Sequence, residues 1–389
     1  MKTRIFFKIV KNEKGESYFE QRIIPVDENS FEVVYGRVGV TPVRQKILMS
    51  FYNTYIGTLK TQGYTEREYW MFNAKDSAYD FNIENQEIKN FLENLASISR
   101  QFVTEKCVEY NAVTLEGIKK AKEILRKISE CNDIEKITLL QKEMYLIIPR
   151  KTDSLYFSEN LEEIPEYINK EYELLDAVET VLKMNNEEKT ETPFFEKYGV
   201  SLFPVTDNQN KEILNHLGFK VTDKYEVTGY KVVNEKRDKS FEKYRNKNKC
   251  KTRYLYHGTR NENALSIILN GPLLPEKANA TKTGAMFGSG IYTATDPDKS
   301  LGYTDGGRWN TEKKRKTVTL FVFKCASKST LHVKEHKYVY TDFPKKLNTK
   351  YDTVYAHKGK SLLRDEIIFY DEDQITLQYI LKLEEKKKK

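Results

Sequence analysis

The chain is poor in the residues that staple or anchor small domains. It has four cysteines in 389 residues, Cys107, Cys131, Cys250 and Cys325, and no two of them form a CxxC pair. That spacing excludes an encoded zinc finger and argues against a disulfide framework, so free thiols in a reducing compartment are expected, with no metal. No apolar run approaches the roughly 18 residues needed to cross a bilayer, which excludes a membrane-spanning helix and points away from a membrane partner. The opening Met1-Lys2-Thr3-Arg4-Ile5 leads into a strand-like pattern rather than a signal peptide, so secretion is not expected. Phosphate-loop signatures are also missing: Gly288-Ser289-Gly290 fits neither GxGxxG nor GxxxxGK(S/T).

What is present suffices for several packed domains. Hydrophobic residues make up 39% of the chain and aromatics 12%, with 26 tyrosines, and the length allows two or three domains. The net charge of +8 is unevenly spread: residues 1–79 carry +3, residues 80–186 carry −7, and the remainder carries +12. An acidic middle between basic ends suggests separate domains. Basic ends fit a polyanion, although a solvated basic surface is the commoner cause of such an excess.

Residues 1–66 read as β-rich, with strand candidates at Ile5–Val10, Tyr18–Ile24 and Phe31–Tyr35 and a helical spacing of Phe51, Tyr55 and Leu59 that stops at Gly63. Residues 67–85, with Trp70, Met71 and Phe72, read as a linker carrying one aromatic patch. Residues 86–184 carry helical stripes: Ile88, Phe91, Leu92, Leu95 and Ile98; then, after the N-cap candidate Thr114, Leu115, Ile118, Ala121, Leu125 and Ile128; then Ile134, Ile137, Gln141 and Met144, stopped by Pro149; then Ile164, Ile168, Leu175, Val178 and Leu182. The polar stretch Asn185–Pro193 reads as a second linker. Beyond it lie strand candidates at Tyr225–Val233, Tyr254–Tyr256 and Thr317–Lys324, and short helix candidates at Ser240–Asn248 and Glu262–Leu269. This is the pattern of an α+β domain built on antiparallel strands. The tail Glu384–Lys389 reads as a solvated, frayed end.

Three short stretches carry chemistry. Leu255-Tyr256-His257-Gly258-Thr259-Arg260 is an apolar strand running into a polar turn, where Gly258 would let a ligand approach the backbone. Met286-Phe287-Gly288-Ser289-Gly290-Ile291-Tyr292 is a Gly-punctuated loop that delivers an aromatic ring. Leu363-Arg364-Asp365-Glu366-Ile367-Ile368-Phe369-Tyr370 places a carboxylate at a strand start. Singly, each has a bland reading: a turn histidine, a flexible loop, a solvated strand end.

Together and in this order they resemble the His-Tyr-Glu signature of the poly(ADP-ribose) polymerases, with Lys299-Ser300-Leu301-Gly302-Tyr303 and Tyr379–Leu383 extending the likeness. Residues 1–66, with Gly36-Arg37-Val38-Gly39, resemble the DNA-end-binding WGR domain of that family, although Tyr35 stands where the Trp is expected. The helical stretch with Met144–Arg150 resembles the family's regulatory domain. The implied fold is an α+β multidomain chain: a WGR-like domain at 1–79, a helical bundle at 80–186 and a mainly antiparallel ADP-ribosyltransferase domain at 187–389.

The resemblance implies NAD⁺ as substrate and transfer of ADP-ribose to acceptor proteins, including the chain itself, and to growing chains. Gly258 and Ser300 would hold the nicotinamide amide, Tyr303 and Tyr292 would wall its ring, and His257 would bind a ribose hydroxyl, with Thr259 and Asn263 on the adenosine side. Glu366 would bind the nicotinamide ribose and stabilise developing positive charge. Tyr35 and Arg37 would meet DNA with strand breaks. Ala285 and Ser289 depart from the family pattern, and an accessory factor completing the acceptor site is an open expectation. Transfer of single units without DNA control, and a non-catalytic DNA-end scaffold, are the alternative readings. A nuclear location is expected for a eukaryotic or viral chain, a cytoplasmic one otherwise.

Overall fold

The computed structural model describes residues 4–12, 15–37, 42–67, 81–107, 113–151, 155–185, 192–274, 287–288, 290–305, 307, 315–334, 350–360 and 362–386. The aromatic patch Trp70–Phe72, most of the 185–193 linker, Ala285, Met286 and Ser289 lie outside the described residues. The chain divides into two compact units: Met1–Asp76 with Val103–Ile124 and Asp133–Ser158, and Ser77–Phe102 with Leu125–Asn132 and Glu159–Lys389. The helical stretch is therefore shared between them.

In the first unit, β1 (Arg4–Asn12), β2 (Gly15–Pro25), β3 (Ser30–Arg37), β4 (Val43–Leu48) and β5 (Thr65–Arg67) form an antiparallel sheet in the order β4-β3-β2-β1-β5. The β2–β3 turn is fixed by Asp27, whose Oδ1 accepts from Asn29 N and Ser30 Oγ. One face buries Phe6, Ile23, Phe31 and Val33 against α1 (Tyr52–Thr61). The helix presents Tyr52, Ile56 and Leu59 to this core, while Phe51 is 56% exposed. The expected stripe of Phe51, Tyr55 and Leu59 is thus off by part of a turn.

The helical stripes are buried as the spacing predicts in α2 (Gln86–Lys106), α3 (Leu115–Ser129), α4 (Ile134–Ile147) and α5 (Ile164–Asn185), except that Ile134 is half-exposed and Leu115, at the first position of α3, is exposed. Thr114 Oγ1 accepts from Gly117 N at 2.9 Å, the side-chain capping bond expected of it. In α4 the cap is Asp133, which accepts from Glu135 N and Lys136 N.

In the second unit, α6 (Phe194–Lys197), β6 (Val200–Pro204), α7 (Asp207–Leu217) and α8 (Phe219–Lys224) lead into β7 (Tyr225–Asn234), α9 (Glu235–Asn248) and β8 (Lys251–Gly258). After a 3-10 turn at Asn261–Asn263 come α10 (Ala264–Asn270), β9 (Ile291–Thr293), α11 (Pro297–Leu301), β10 (Thr317–Ser327), β11 (Thr330–Val333), β12 (Thr353–Ala356), β13 (Glu366–Phe369) and β14 (Ile375–Glu385). Two sheets result, β6-β7-β14-β10-β8 and β11-β12-β13-β9. All their pairings are antiparallel except β11 with β12. Reciprocal backbone bonds between Tyr256 and Ala294, both 2.9 Å, join the sheets at the end of β8. That junction is where the three chemistry-bearing stretches meet.

Candidate active site

His257 and Gly258 close β8, paired with Phe321 and Leu320 of β10. The His257 ring is half-buried, 5.5 Å from the Phe323 ring, and its Nδ1 lies 2.9 Å from the carbonyl oxygen of Tyr292. A carbonyl only accepts, so Nδ1 carries the hydrogen and a neutral ring keeps its lone pair on Nε2. Burial lowers the pKa of His257, opposed by the bond to Tyr292, so the neutral acceptor form is favoured.

Gly258 is glycine for a different reason from the expected one. A Cβ there would come within 1.7 Å of the Ser300 carbonyl oxygen. The space of the missing side chain is filled by α11 rather than left for a ligand. This close approach fixes α11, with its buried Ser300, against the end of β8. Asp296 starts that helix by accepting from Asp298 N.

Tyr292 sits on β9 opposite Ile368 of β13. Its hydroxyl accepts from Phe287 N and donates to the Gly288 carbonyl, each at 2.9 Å, so the ring is locked by its own loop. Gly290 is required here too, since a Cβ would meet Ile368 Cγ2 at 2.4 Å. Tyr303, just after α11, is 41% exposed, and burial followed by the charge of Glu366 pushes its hydroxyl up to about 12. The same charge contributes to the raised pKa of Tyr292, where burial is the largest cause.

Glu366 opens β13 and is 7% exposed. Its Oε1 lies 2.5 Å from Lys299 Nζ, which also donates to the Arg364 carbonyl at 3.3 Å. Desolvation raises the pKa of Glu366, and the hydrogen bond and charge of Lys299 oppose the rise. Arg364 in turn reaches Asp296 Oδ2 at 2.7 Å and Asp298 Oδ2 at 3.4 Å, tying β13 to α11. Asp365 is held by Tyr355 Oη at 2.8 Å and Lys358 N at 2.6 Å, which fixes the strand start. Lys299, Arg364, Asp296 and Asp298 were not singled out from the sequence as site residues. Nothing local in Lys299-Ser300 signals a partner on a distant strand.

Thr259 and Asn263 lie on the turn after β8, with Asn263 Nδ2 3.3 Å from Thr259 Oγ1. Asn263 Oδ1 is buried without a partner among the described residues, an acceptor left for a bound molecule. Beside them, Arg260 reaches Glu173 of α5 at 2.5 Å and Glu262 at 3.1 Å, and Ser99 of α2 donates to the Glu262 carbonyl at 2.8 Å. Tyr35 and Arg37 are in the other unit. The Tyr35 ring is half-buried against the small core and Arg37 is exposed. No group of three or more metal-ligating side chains occurs among the described residues.

Six of the named residues, His257, Gly258, Tyr292, Ser300, Tyr303 and Glu366, are thus linked at one sheet junction. Residues 208–385 match the poly(ADP-ribose) polymerase catalytic domain. The match spans every one of these positions, supports ADP-ribosyltransferase activity and brings NAD⁺ as the substrate that enzymes of this family use. A poly(ADP-ribose) polymerase-like protein of Invertebrate iridescent virus 6 is 26% identical over 193 residues, which is 45% of this chain and 97% of the viral protein. Two Caenorhabditis elegans proteins, poly(ADP-ribose) polymerase tankyrase and poly(ADP-ribose) polymerase 2, are each 45% identical over 51 residues. Those 51 residues are 13% of this chain and only 2% and 9% of the two worm proteins.

Proposed function

We propose that the chain is an NAD⁺ ADP-ribosyltransferase that builds ADP-ribose onto acceptor proteins and onto growing chains. The observation that carries this reading is the buried Lys299–Glu366 pair, set where His257, Tyr292, Ser300 and Tyr303 converge.

The bond to break joins nicotinamide to the ribose carbon. Nicotinamide leaves with both bonding electrons and loses its positive charge, so the site needs no acid for departure. Positive charge grows on the ribose carbon, as in glycoside cleavage. The Glu366 carboxylate supplies the opposing charge in a site shielded from water, where such stabilisation is strongest. Lys299 favours the ionised carboxylate and opposes the rise in pKa that burial causes. His257 Nε2 accepts from a ribose hydroxyl, and the Gly258 backbone with Ser300 Oγ holds the carboxamide. Tyr303 and Tyr292 wall the nicotinamide ring. Asn263 Oδ1 and Thr259 serve the adenosine side. The acceptor oxygen attacks the ribose carbon and releases its proton to Glu366 or to solvent.

DNA with strand breaks is proposed as the activator, with exposed Arg37 on the first unit as its contact, and a nuclear role in DNA repair follows from that. The restraint to be released is the packing of α2 and α5 beside Thr259–Asn263, of which Arg260–Glu173 is the most direct contact. Acceptors include the chain itself, with an accessory factor completing the acceptor site. The test is the purified chain with labelled NAD⁺, with and without nicked DNA, resolved by gel. A ladder that grows with DNA supports the reading. A single band supports transfer of single units, and no labelled product overturns it.

A further inference from the structure

The helix α9 has a face that the proposed chemistry does not use. Lys236, Lys239, Lys243 and Lys247 are all exposed. At about 100° per residue they fall within an arc of about 80° on one side of the helix. None of the four has an ion-pair partner among the described residues. Of the three acids of the same helix, Glu242 is engaged by Arg245 and Lys324 and Asp238 by Asn234 N and Thr376 Oγ1, while exposed Glu235 borders the lysine face. The helix is held down by buried Phe241, by Arg237 on Asn270 and Glu372, and by Tyr244 on Asp352. The lysine face is therefore not needed to attach it.

This arrangement works against the helix itself. Lys239–Lys243 and Lys243–Lys247 are like charges at i,i+4, which weaken a helix. Lys236 also sits in its first turn, where the backbone dipole disfavours cations. A polyanion laid along the face would relieve both.

We propose that the lysine face of α9 binds the phosphate backbone of duplex DNA, giving the catalytic unit a DNA contact of its own. The chemistry selects this occupant among polyanions. The four side chains are spread over about 16 Å of helix at 1.5 Å per residue. Each strand of a duplex presents single phosphates at even intervals, one per about 3.4 Å of rise along the axis. An ADP-ribose polymer carries its charges in pyrophosphate pairs separated by whole nucleoside units, a poorer match to an even row. The arc carries no aromatic side chain on which an unpaired base could stack, so duplex backbone is favoured over single strands. Contacts of this kind are independent of sequence.

The test compares the full chain with a variant carrying Lys236→Gln, Lys239→Gln, Lys243→Gln and Lys247→Gln. Glutamine keeps the helix propensity and removes the charge. Binding of a short, intact, labelled duplex is followed by fluorescence anisotropy across a salt series. The salt slope of log K should become shallower by about 3–4, near 0.9 per lost phosphate contact, and the fall in affinity between 50 and 200 mM salt should be roughly 100-fold smaller. An unchanged slope overturns the proposal. So does unchanged duplex binding with lost binding of purified ADP-ribose polymer. Should the fourfold variant melt early, Lys243→Gln alone decides the matter, with an expected loss of about 0.9 in slope and no change in melting. The readout is DNA binding rather than NAD⁺ consumption, so an inactive enzyme would leave this result standing.

Discussion

The two five-stranded sheets of this molecule are built in opposite ways. In the first, β1 to β4 lie side by side in chain order, so each strand pairs with its predecessor in the chain. In the second, β7 pairs with β14 and β8 with β10, joining segments far apart in the chain. Local pairing lets turn chemistry such as that of Asp27 set the register. Long-range pairing needs loop closure before any contact is gained. The proposed active site belongs wholly to the second kind. His257 is placed by β10, Tyr292 by β13, and Glu366 meets a lysine from α11. A site of this construction should fail when a junction is spread apart, and more gradually when a charge is removed.

Gly258→Ala should break it most severely. The added Cβ would lie 1.7 Å from the Ser300 carbonyl oxygen, backbone that cannot rotate away. Overpacking of this sort costs about 1–3 kcal/mol or more. Moving α11 by about 1 Å also misplaces Lys299, Ser300 and Tyr303, on the scale of a 10²-fold loss in rate. A thermal melt with a transfer assay checks both; normal melting and normal transfer would mean α11 is not seated on β8 in this way.

Lys299→Met should act through pH. Glu366 already has a raised pKa from burial, and Lys299 is the charge that restrains it. Activity requiring the carboxylate is present above that pKa and lost as pH falls through it. Removing the lysine should shift the acid limb of the rate profile upward by about 1–3 units, the usual effect of an adjacent opposite charge. An acid limb that stays in place would show that Lys299 does not set the ionisation of Glu366.

Glu173→Gln should have the smallest effect. The pair with Arg260 is partly exposed, with side chains 41% and 23% accessible, and such pairs contribute about 0–1 kcal/mol. If α5 restrains the NAD⁺ site, DNA-free turnover should rise, by up to about fivefold, and the fold stimulation by DNA should shrink accordingly. Basal turnover equal to wild type would remove this contact from the account of restraint.

The sequence was most informative where structure is local. The four helical stripes, the cap at Thr114 and the strand opening at Glu366 follow from spacing of neighbouring residues. Phe51 and Tyr52 show the limit of that logic, since two adjacent aromatics fit a helical period almost equally and only packing against Phe31 selects Tyr52. Helix α9 begins at Glu235, earlier than the expected Ser240, because the cap is Asn234, whose side chain accepts from Arg237 N within a run of charges. The capping box of Thr206 and Gln209, which starts α7, is legible in the sequence as Thr-x-x-Gln. The contacts of Lys299 and Arg364 and the Gly258–Ser300 approach were not legible, because each brings α11 or its cap against a segment far away in the chain.

The central claim is that ionised Glu366, held by Lys299, stabilises the charge that forms when nicotinamide leaves. Glu366→Gln preserves shape and removes that charge. The most direct measurement is labelled-NAD⁺ transfer and chain elongation by this variant beside wild type, together with the affinity of each for a non-hydrolysable NAD⁺ analogue. Transfer and elongation should fall by about 10²-fold or more, the scale for losing an electrostatic stabiliser, with analogue affinity little changed. Near-wild-type transfer by the variant would contradict the account.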